Sequence, residues 1–187
     1  MNIIHEEMKK FCEDIITFHI PRWEELPDME LYMDQVITFI ESNISFFSII
    51  TKEKFITPSM INNYVKLGLI PKPIKKRYNK THFAYLIAIS ILKHVFTIGE
   101  IKDGILFQSN LNGEKDAYNS FCEEQEEALK YLIGQINPQD KSNTEISLDL
   151  TPANLAIKMA TLSFASKIIA ERIIELQKCH SEVNEVN

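Results

Sequence analysis

Glycine and proline are both scarce in this chain, five and seven among 187 residues, and cysteine is scarcer still at three. No glycine-rich phosphate loop stands beside any apolar seam, and so few breakers fit a helical protein with a handful of abrupt corners. Cys12, Cys122 and Cys179 are odd in number, far apart and form no Cys-x-x-Cys pair. This argues against a disulfide framework or a zinc knot and for a reducing, cytoplasmic setting. Long apolar runs are missing too: the stretch 83–92 has only ten residues, well short of a membrane span. The first fifteen residues carry Glu6, Glu7, Lys9, Lys10, Glu13 and Asp14, which an ordinary signal peptide does not tolerate. No nucleophile with a neighbouring base and no metal-ligand cluster can be picked out. His82 and His94 lie twelve apart and read as surface or half-buried side chains rather than as an i, i+4 metal pair. No enzyme activity, cofactor or metal is therefore expected. What is present is a 45% hydrophobic chain, enough for one good core or two small ones sharing an interface.

The net charge is −6, but it is unevenly spread. From Thr51 to Lys80 there are eight Lys/Arg against one acid, Glu53, a net of +7; the remaining residues hold 12 basic and 25 acidic side chains, a net of −13. This basic stretch opens with Thr57-Pro58, a hydroxyl residue followed by proline, which is how a helix starts: the side chain caps a free N–H and proline needs none. The helix stops at Gly68. Between them Ser59, Asn62, Asn63 and Lys66 share one face, free of acids, while Met60, Ile61, Tyr64, Val65 and Leu67 take the rest. Asn presents a donor and an acceptor suited to a base edge, Ser can bind a phosphate oxygen, and Lys supplies charge. The prolines of Leu69-Ile70-Pro71-Lys72-Pro73-Ile74 forbid further helix, so an extended arm follows, carrying Lys72, Lys75, Lys76 and Arg77. Such a stripe suits phosphate neutralisation; the plainer alternative is a solvated helix face with a lysine-rich loop.

Thr57-Pro58-Ser59-Met60-Ile61-Asn62-Asn63-Tyr64, then Gly68-Leu69-Ile70-Pro71, then Arg77-Tyr78, then Phe96-Thr97-Ile98-Gly99-Glu100-Ile101 together resemble the winged helix-turn-helix of MerR-type bacterial regulators. The likeness spans about Phe47 to Leu106. Where that family has Arg, Tyr, Tyr and Glu in the helix, this chain has Asn62, Asn63, Tyr64 and Val65; the wing positions hold Lys75, Lys76 and Tyr78, so charge is kept and identity changed. Together with Pro21-Arg22-Trp23-Glu24-Glu25-Leu26-Pro27-Asp28 and Leu31-Tyr32-Met33-Asp34-Gln35-Val36, the pattern also resembles a bacterial family named domain of unknown function 1836. The MerR likeness implies that Asn62, Asn63, Tyr64, Lys76 and Arg77 face a DNA duplex. With Ser59, Lys66, Lys72, Lys75 and Tyr78 they make up the expected DNA-binding set.

Around this module the chain reads as helices. Residues 3–18 place Ile4, Met8, Phe11, Ile15 and Phe18 on one side. Pro21-Arg22-Trp23 breaks that helix, and Trp23 is expected to pin the linker to the core. A second helix is expected from Pro27-Asp28, capped by Asp28, with Met29, Met33, Val36, Ile40, Ile44 and Phe47 as its seam, long or broken near Asn43. Residues 44–52 then supply the first helix of the helix-turn-helix. Asn79 caps a helix to about His94, with Phe83, Leu86, Ile87, Ser90, Ile91 and Val95 inward. Thr97 and Glu100 form a capping box for a short helix ending near Leu106. Residues 107–117 read as a loop, and Tyr118 to Ile136 as a helix whose run Glu123-Glu124-Gln125-Glu126-Glu127 reads as a solvated face, the alternative being a metal or partner patch. Asn137-Pro138 ends it. Ile146, Leu148 and Leu150 alternate as an extended segment or edge strand. Thr151-Pro152 opens a last helix to about His180, in which Leu155, Leu162, Ile169 and Leu176 recur by sevens with Met159, Ser166 and Ile173, a bundle seam or one that crosses a dimer interface.

The expected fold is mainly all-α, a winged helix-turn-helix with a short extended wing set in a helical bundle. Its divisions are an N-terminal helical extension (1–46), the module (47–106) and a C-terminal helical region with a possible role in dimerisation (107–187). The expected function is sequence-specific binding of double-stranded DNA as a homodimeric transcriptional regulator with no membrane partner; the alternative is a protein-interaction module that turns its acidic helical face to a basic partner.

Overall fold

The computed structural model describes residues 2–136 and 150–185, with side chains for 6–135 and 150–178. Among them the order is α1 (Asn2–Thr17), a 3-10 turn (Trp23–Glu25), β1 (Leu31–Tyr32), α2 (Met33–Thr51), α3 (Pro58–Lys66), β2 (Arg77–Tyr78), α4 (Lys80–Leu92), α5 (Ile98–Asn112), α6 (Glu114–Ile136) and α7 (Leu155–Glu185). The protein is thus mainly helical, and the two strands form one short antiparallel ribbon, with Leu31 opposite Tyr78 and Tyr32 opposite Arg77.

α4 sits at the centre. It is apolar nearly all round, and it is buried accordingly: Ala84, Ala88 and Ile89 are covered as well as the expected inward set, of which Val95 lies beyond the helix and is half-buried. α2, α6 and α7 pack against it, and α6 runs along α7. Phe47, Phe55 and Phe164 lie fully buried where α2, α7 and the segment before α3 meet; Phe164 stands edge-on to Phe47 at 4.9 Å. A single apolar cluster joins residues from Phe11 to Ile169. α2 bends at Ile44, where φ is −120° and ψ 15°, so the kink expected near Asn43 occurs within one continuous helix.

Several expectations are corrected. α2 begins at Met33, not after Asp28, because Leu31 and Tyr32 first pair with β2 and the Tyr32 N–H is taken by the Gln35 side chain at 3.0 Å. Asp28 instead meets Lys80 at 2.5 Å, and Met29, expected in the seam, is 70% exposed. α5 continues to Asn112 and α6 starts at Glu114, so the expected loop shrinks to Gly113, whose φ of +79° turns the chain where an L side chain would be strained. α7 begins at Leu155, because Thr151 and Asn154 cap each other's backbone N–H groups in the turn before it. Its buried stripe runs through Ala160, Thr161, Phe164, Ala165, Ile168, Ile169 and Leu176, while Leu155 and Met159 of the seven-residue seam are exposed. A straight helix drifts about 20° per heptad against a seven-residue repeat, so a seam buried at Leu176 has rotated into solvent three heptads earlier. The acidic run on α6 is not wholly solvated: Gln125 and Glu126 are buried. Leu150 is exposed, and the extended segment expected at Ile146 and Leu148 lies outside the described residues.

The linker 18–26 is held chiefly by Arg22. Its guanidinium meets Glu126 through two parallel hydrogen bonds of 2.7 and 2.9 Å, and the Ile20 N–H donates to the same carboxylate at 2.8 Å. Trp23 assists, edge-on to Tyr118, with its backbone N–H on the Asn119 side chain. Nearby, burial pushes the Cys122 thiol up to about 12, so it stays protonated at neutral pH.

His82 and His94 are more deeply set than expected. The Nε2 of His82 lies 3.2 Å from the Pro71 carbonyl, and its Nδ1 accepts the Asn79 N–H at 3.1 Å. The His94 ring lies tilted against Phe55 at 4.4 Å, its Nε2 without a partner among the described residues. Burial lowers both imidazole pKa values, and the neighbouring Lys93 lowers that of His94 further. The unfolded chain therefore takes up these protons first. Stability should be full above roughly pH 6.5 and fall as the pH drops below it, before carboxylates begin to titrate. Melting temperatures measured from pH 7.5 to 5.5 should decline, and His94→Phe, which keeps a ring against Phe55 and Phe164, should reduce the decline. A flat wild-type profile would mean that these rings are not buried in their neutral form.

Candidate nucleic-acid interface

α3 is built as its sequence demands. The Thr57 hydroxyl accepts the Met60 N–H at 3.2 Å, and Pro58 occupies the first turn. At the other end Gly68 takes φ +64°; its N–H donates to the Val65 carbonyl at 3.1 Å, and the Leu69 N–H reaches back to the Tyr64 carbonyl at 2.9 Å. This is the paired closure that satisfies the last carbonyls of a helix and favours glycine there. Ile61 and Tyr64 face the core, and Ser59, Asn62, Asn63 and Lys66 are exposed. Tyr64, expected on the DNA face, is 3% exposed and belongs to the packing side of the helix.

Beyond Gly68, Leu69 and Ile70 are buried anchors, and the Pro71 carbonyl is held by His82. The chain then emerges with Lys72 and turns at Lys75-Lys76, where the Arg77 N–H donates to the Ile74 carbonyl at 2.9 Å. Both central residues are left-handed, φ 49° for Lys75 and 62° for Lys76. Two successive positive φ values mark one of the two favoured tight hairpin turns, and Asn-Gly is the usual way to meet them. Here two exposed lysines carry the conformational cost instead. Tyr78 is 2% exposed, edge-on to His82, so it too leaves the expected contact set and serves as the ribbon's anchor.

Lys66, Lys72, Lys75 and Lys76 form no ion pair among the described residues. Lys52 and Lys80 do, with Glu175 at 2.9 Å and with Asp28, so the positive charge of this stretch left unpaired among the described residues lies on Lys54 before α3, the end of α3, the arm and the hairpin tip. Among the described residues no group of three or more His, Cys, Asp or Glu is placed to hold a metal ion. No described helix is long and apolar enough to cross a membrane.

A family model described as domain of unknown function (DUF1836) matches residues 21–125, from the Arg22 linker through the first half of α6. The chain belongs to this family. No curated protein and no solved structure matches it.

All the exposed residues of the candidate surface fall inside the DUF1836 match, as do three residues that support them. Tyr32 lies under the Arg77 guanidinium, 4.7 Å from ring centroid to carbon, and its hydroxyl accepts from that guanidinium at 3.1 Å. A neutral partner orients the cation without cancelling it. Lys93 donates to the Phe55 carbonyl at 2.7 Å, fixing the approach to α3, and burial pushes its pKa down. Lys102 donates to the Leu67 carbonyl at 3.2 Å, closing the far end of the same helix. Lys93 and Lys102 stand outside the stretch 51–80, and nothing local in the sequence marks Tyr32 as a support for Arg77.

Proposed function

We propose that this DUF1836 protein binds double-stranded DNA in a sequence-specific way and acts as a homodimeric transcriptional regulator of the bacterial type. α2 beyond its kink and α3 serve as the helix-turn-helix, α3 as the reading helix, and the hairpin at Lys75-Lys76 as a MerR-like wing. The observation that carries this reading is that hairpin: two adjacent lysines, exposed, without ion-pair partners among the described residues and held in a backbone conformation unfavourable to them. Strain kept at an exposed cationic tip is understandable where the tip meets phosphates. Asn62 and Asn63 would supply base-edge contacts, with Ser59, Lys66, Lys72 and Arg77 on the backbone. For the dimer, α7 leaves Leu155, Met159 and Ile174 exposed and available to a second copy.

Selection of bound fragments from a random duplex pool tests the reading directly. Enrichment of a common motif is expected, and affinity for it should fall steeply with salt. Asn62→Ala and Asn63→Ala should each flatten base preference at one position, at a cost of about 1–3 kcal/mol for the preferred sequence. Absence of enrichment, together with affinity indifferent to salt, would remove the DNA reading; a basic protein released by competition for the acidic helices would then favour the interaction module.

A further inference from the structure

A cavity of about 120 Å³ opens where α4, α5, α6 and the start of α7 meet. It exists because small residues face one another there, Ala84 and Ala88 on α4, Gly104 on α5, Ala117 on α6 and Ala156 on α7. Aromatic rings complete its wall, including Phe96, Tyr118 and Phe121. The pocket is open to solvent on the α5 and α7 side, where Gly104, Phe107 and Ala156 are exposed, and closed on the side of α4 and Phe121. An apolar cavity of roughly 150 Å³ is known to stay dry and to take up benzene, so this one has the scale of a single ring. α5 forms one wall; Ile101 is its one buried residue, and Ile98 and Ile105 pack against the core half-buried.

The mouth selects by charge. Glu100 and Glu114 stand at the lining. Glu114 accepts hydrogen bonds from the Tyr85 and Thr81 hydroxyls, and Glu100 accepts from the Thr97 backbone and hydroxyl, which holds its carboxyl below the usual range. Both partner sets fix a carboxylate in place, and no cation among the described residues pairs with either. An anion would meet two negative charges at the entrance, whereas a neutral or cationic molecule would not.

We propose that this cavity is a binding site for a small, non-anionic, single-ring aromatic molecule. The ring lies among Ala88, Ile101, Phe121 and Ile157, and any polar or cationic substituent points to Glu114. The site is independent of the α3 surface, and its test uses no DNA.

The full chain, carbon-13 labelled at isoleucine methyls, is titrated with toluene, benzylamine and benzoate. Toluene and benzylamine should move the methyl signals of Ile101, Ile105 and Ile157 saturably, and benzoate should not. A Cβ added at Gly104 meets nothing within 4 Å. Gly104→Leu should therefore fold, fill the space and weaken both ligands by about tenfold or more. Gly99→Ala, on the same helix with equally open space but outside the lining, is the control and should bind as the wild type does. Should Gly104→Leu not fold, Ala156→Leu, which enters from the α7 side, answers the same question. The proposal is overturned if neither toluene nor benzylamine moves these methyls, if benzoate binds as well as they do, or if the filled variants bind unchanged.

Discussion

Glu126→Ala is expected to destabilise the protein by about 3–5 kcal/mol, the typical cost of removing one member of a buried, hydrogen-bonded ion pair. The loss has three parts. The Arg22 guanidinium, largely buried, is left without its two-point partner, and the Ile20 N–H loses its acceptor. The Ile20 carbonyl, which shares the same guanidinium at 2.6 Å, loses the geometry that brought it there. Burial alone would raise the carboxyl pKa; Arg22, the Ile20 N–H and His19 more than offset it and hold Glu126 ionised, so the pair is present as ions at neutral pH. For a chain of this length that loss should lower the melting temperature by roughly 10 °C. Glu126→Gln, which keeps an acceptor but not the charge, should lie between. Denaturant titration at neutral pH, with Arg22→Met and the double variant completing a cycle, gives the coupling directly. A change below about 1 kcal/mol would put the pair in the class of surface bridges and leave the linker held by its buried Ile20 and Leu26, by Trp23 and by the Tyr118 hydroxyl on the Pro21 carbonyl.

That pair also shows where the sequence could be read and where it could not. The features set by a few neighbouring residues were legible: Thr57-Pro58, Asn79 and Thr97 all cap helices, Gly68 closes α3, and the exposed face of Asn62, Asn63 and Lys66 follows from helical spacing. Features set by distant partners were not. Glu126 lies 104 residues from Arg22, so within its own acidic run nothing separates it from Glu123 or Glu127. Tyr64 and Tyr78 look like contact residues by position in a motif, yet an aromatic ring buries large area wherever a core will accept it, and here the core does. The ribbon was illegible for the same reason: Leu31-Tyr32 and Arg77-Tyr78 are two residues each, too short for any alternation to reveal, and their pairing displaced the start of α2 by one turn. The cavity needed four helices to be placed before five small residues could be seen to face one another.

Exchanging the hairpin lysines, Lys75→Asn with Lys76→Gly, should move stability and DNA affinity in opposite directions. Asn-Gly adopts two successive left-handed residues readily, and a non-glycine residue there costs roughly 1–2 kcal/mol. Relief at Lys75 and Lys76 should raise the unfolding free energy by about 1–2 kcal/mol in all, since asparagine still bears part of the cost. The same exchange removes two exposed cations. If each neutralises one phosphate, the dependence of log affinity on log salt loses about two units, and affinity at 0.1 M salt falls on the order of a hundredfold. The loss should be alike for all sequences, because these side chains are assigned to phosphates and not to base edges. Opposite signs separate the two explanations that matter. A variant that merely damaged the fold would lose stability and affinity together, and an interaction module would gain stability with no change in salt slope. Lys75→Ala with Lys76→Ala provides the comparison: the charge is gone while the backbone cost remains, so affinity should fall equally with no gain in stability. If the Asn-Gly exchange proves destabilising, the turn is not left-handed at both positions, and the strain argument for a phosphate-contacting tip goes with it.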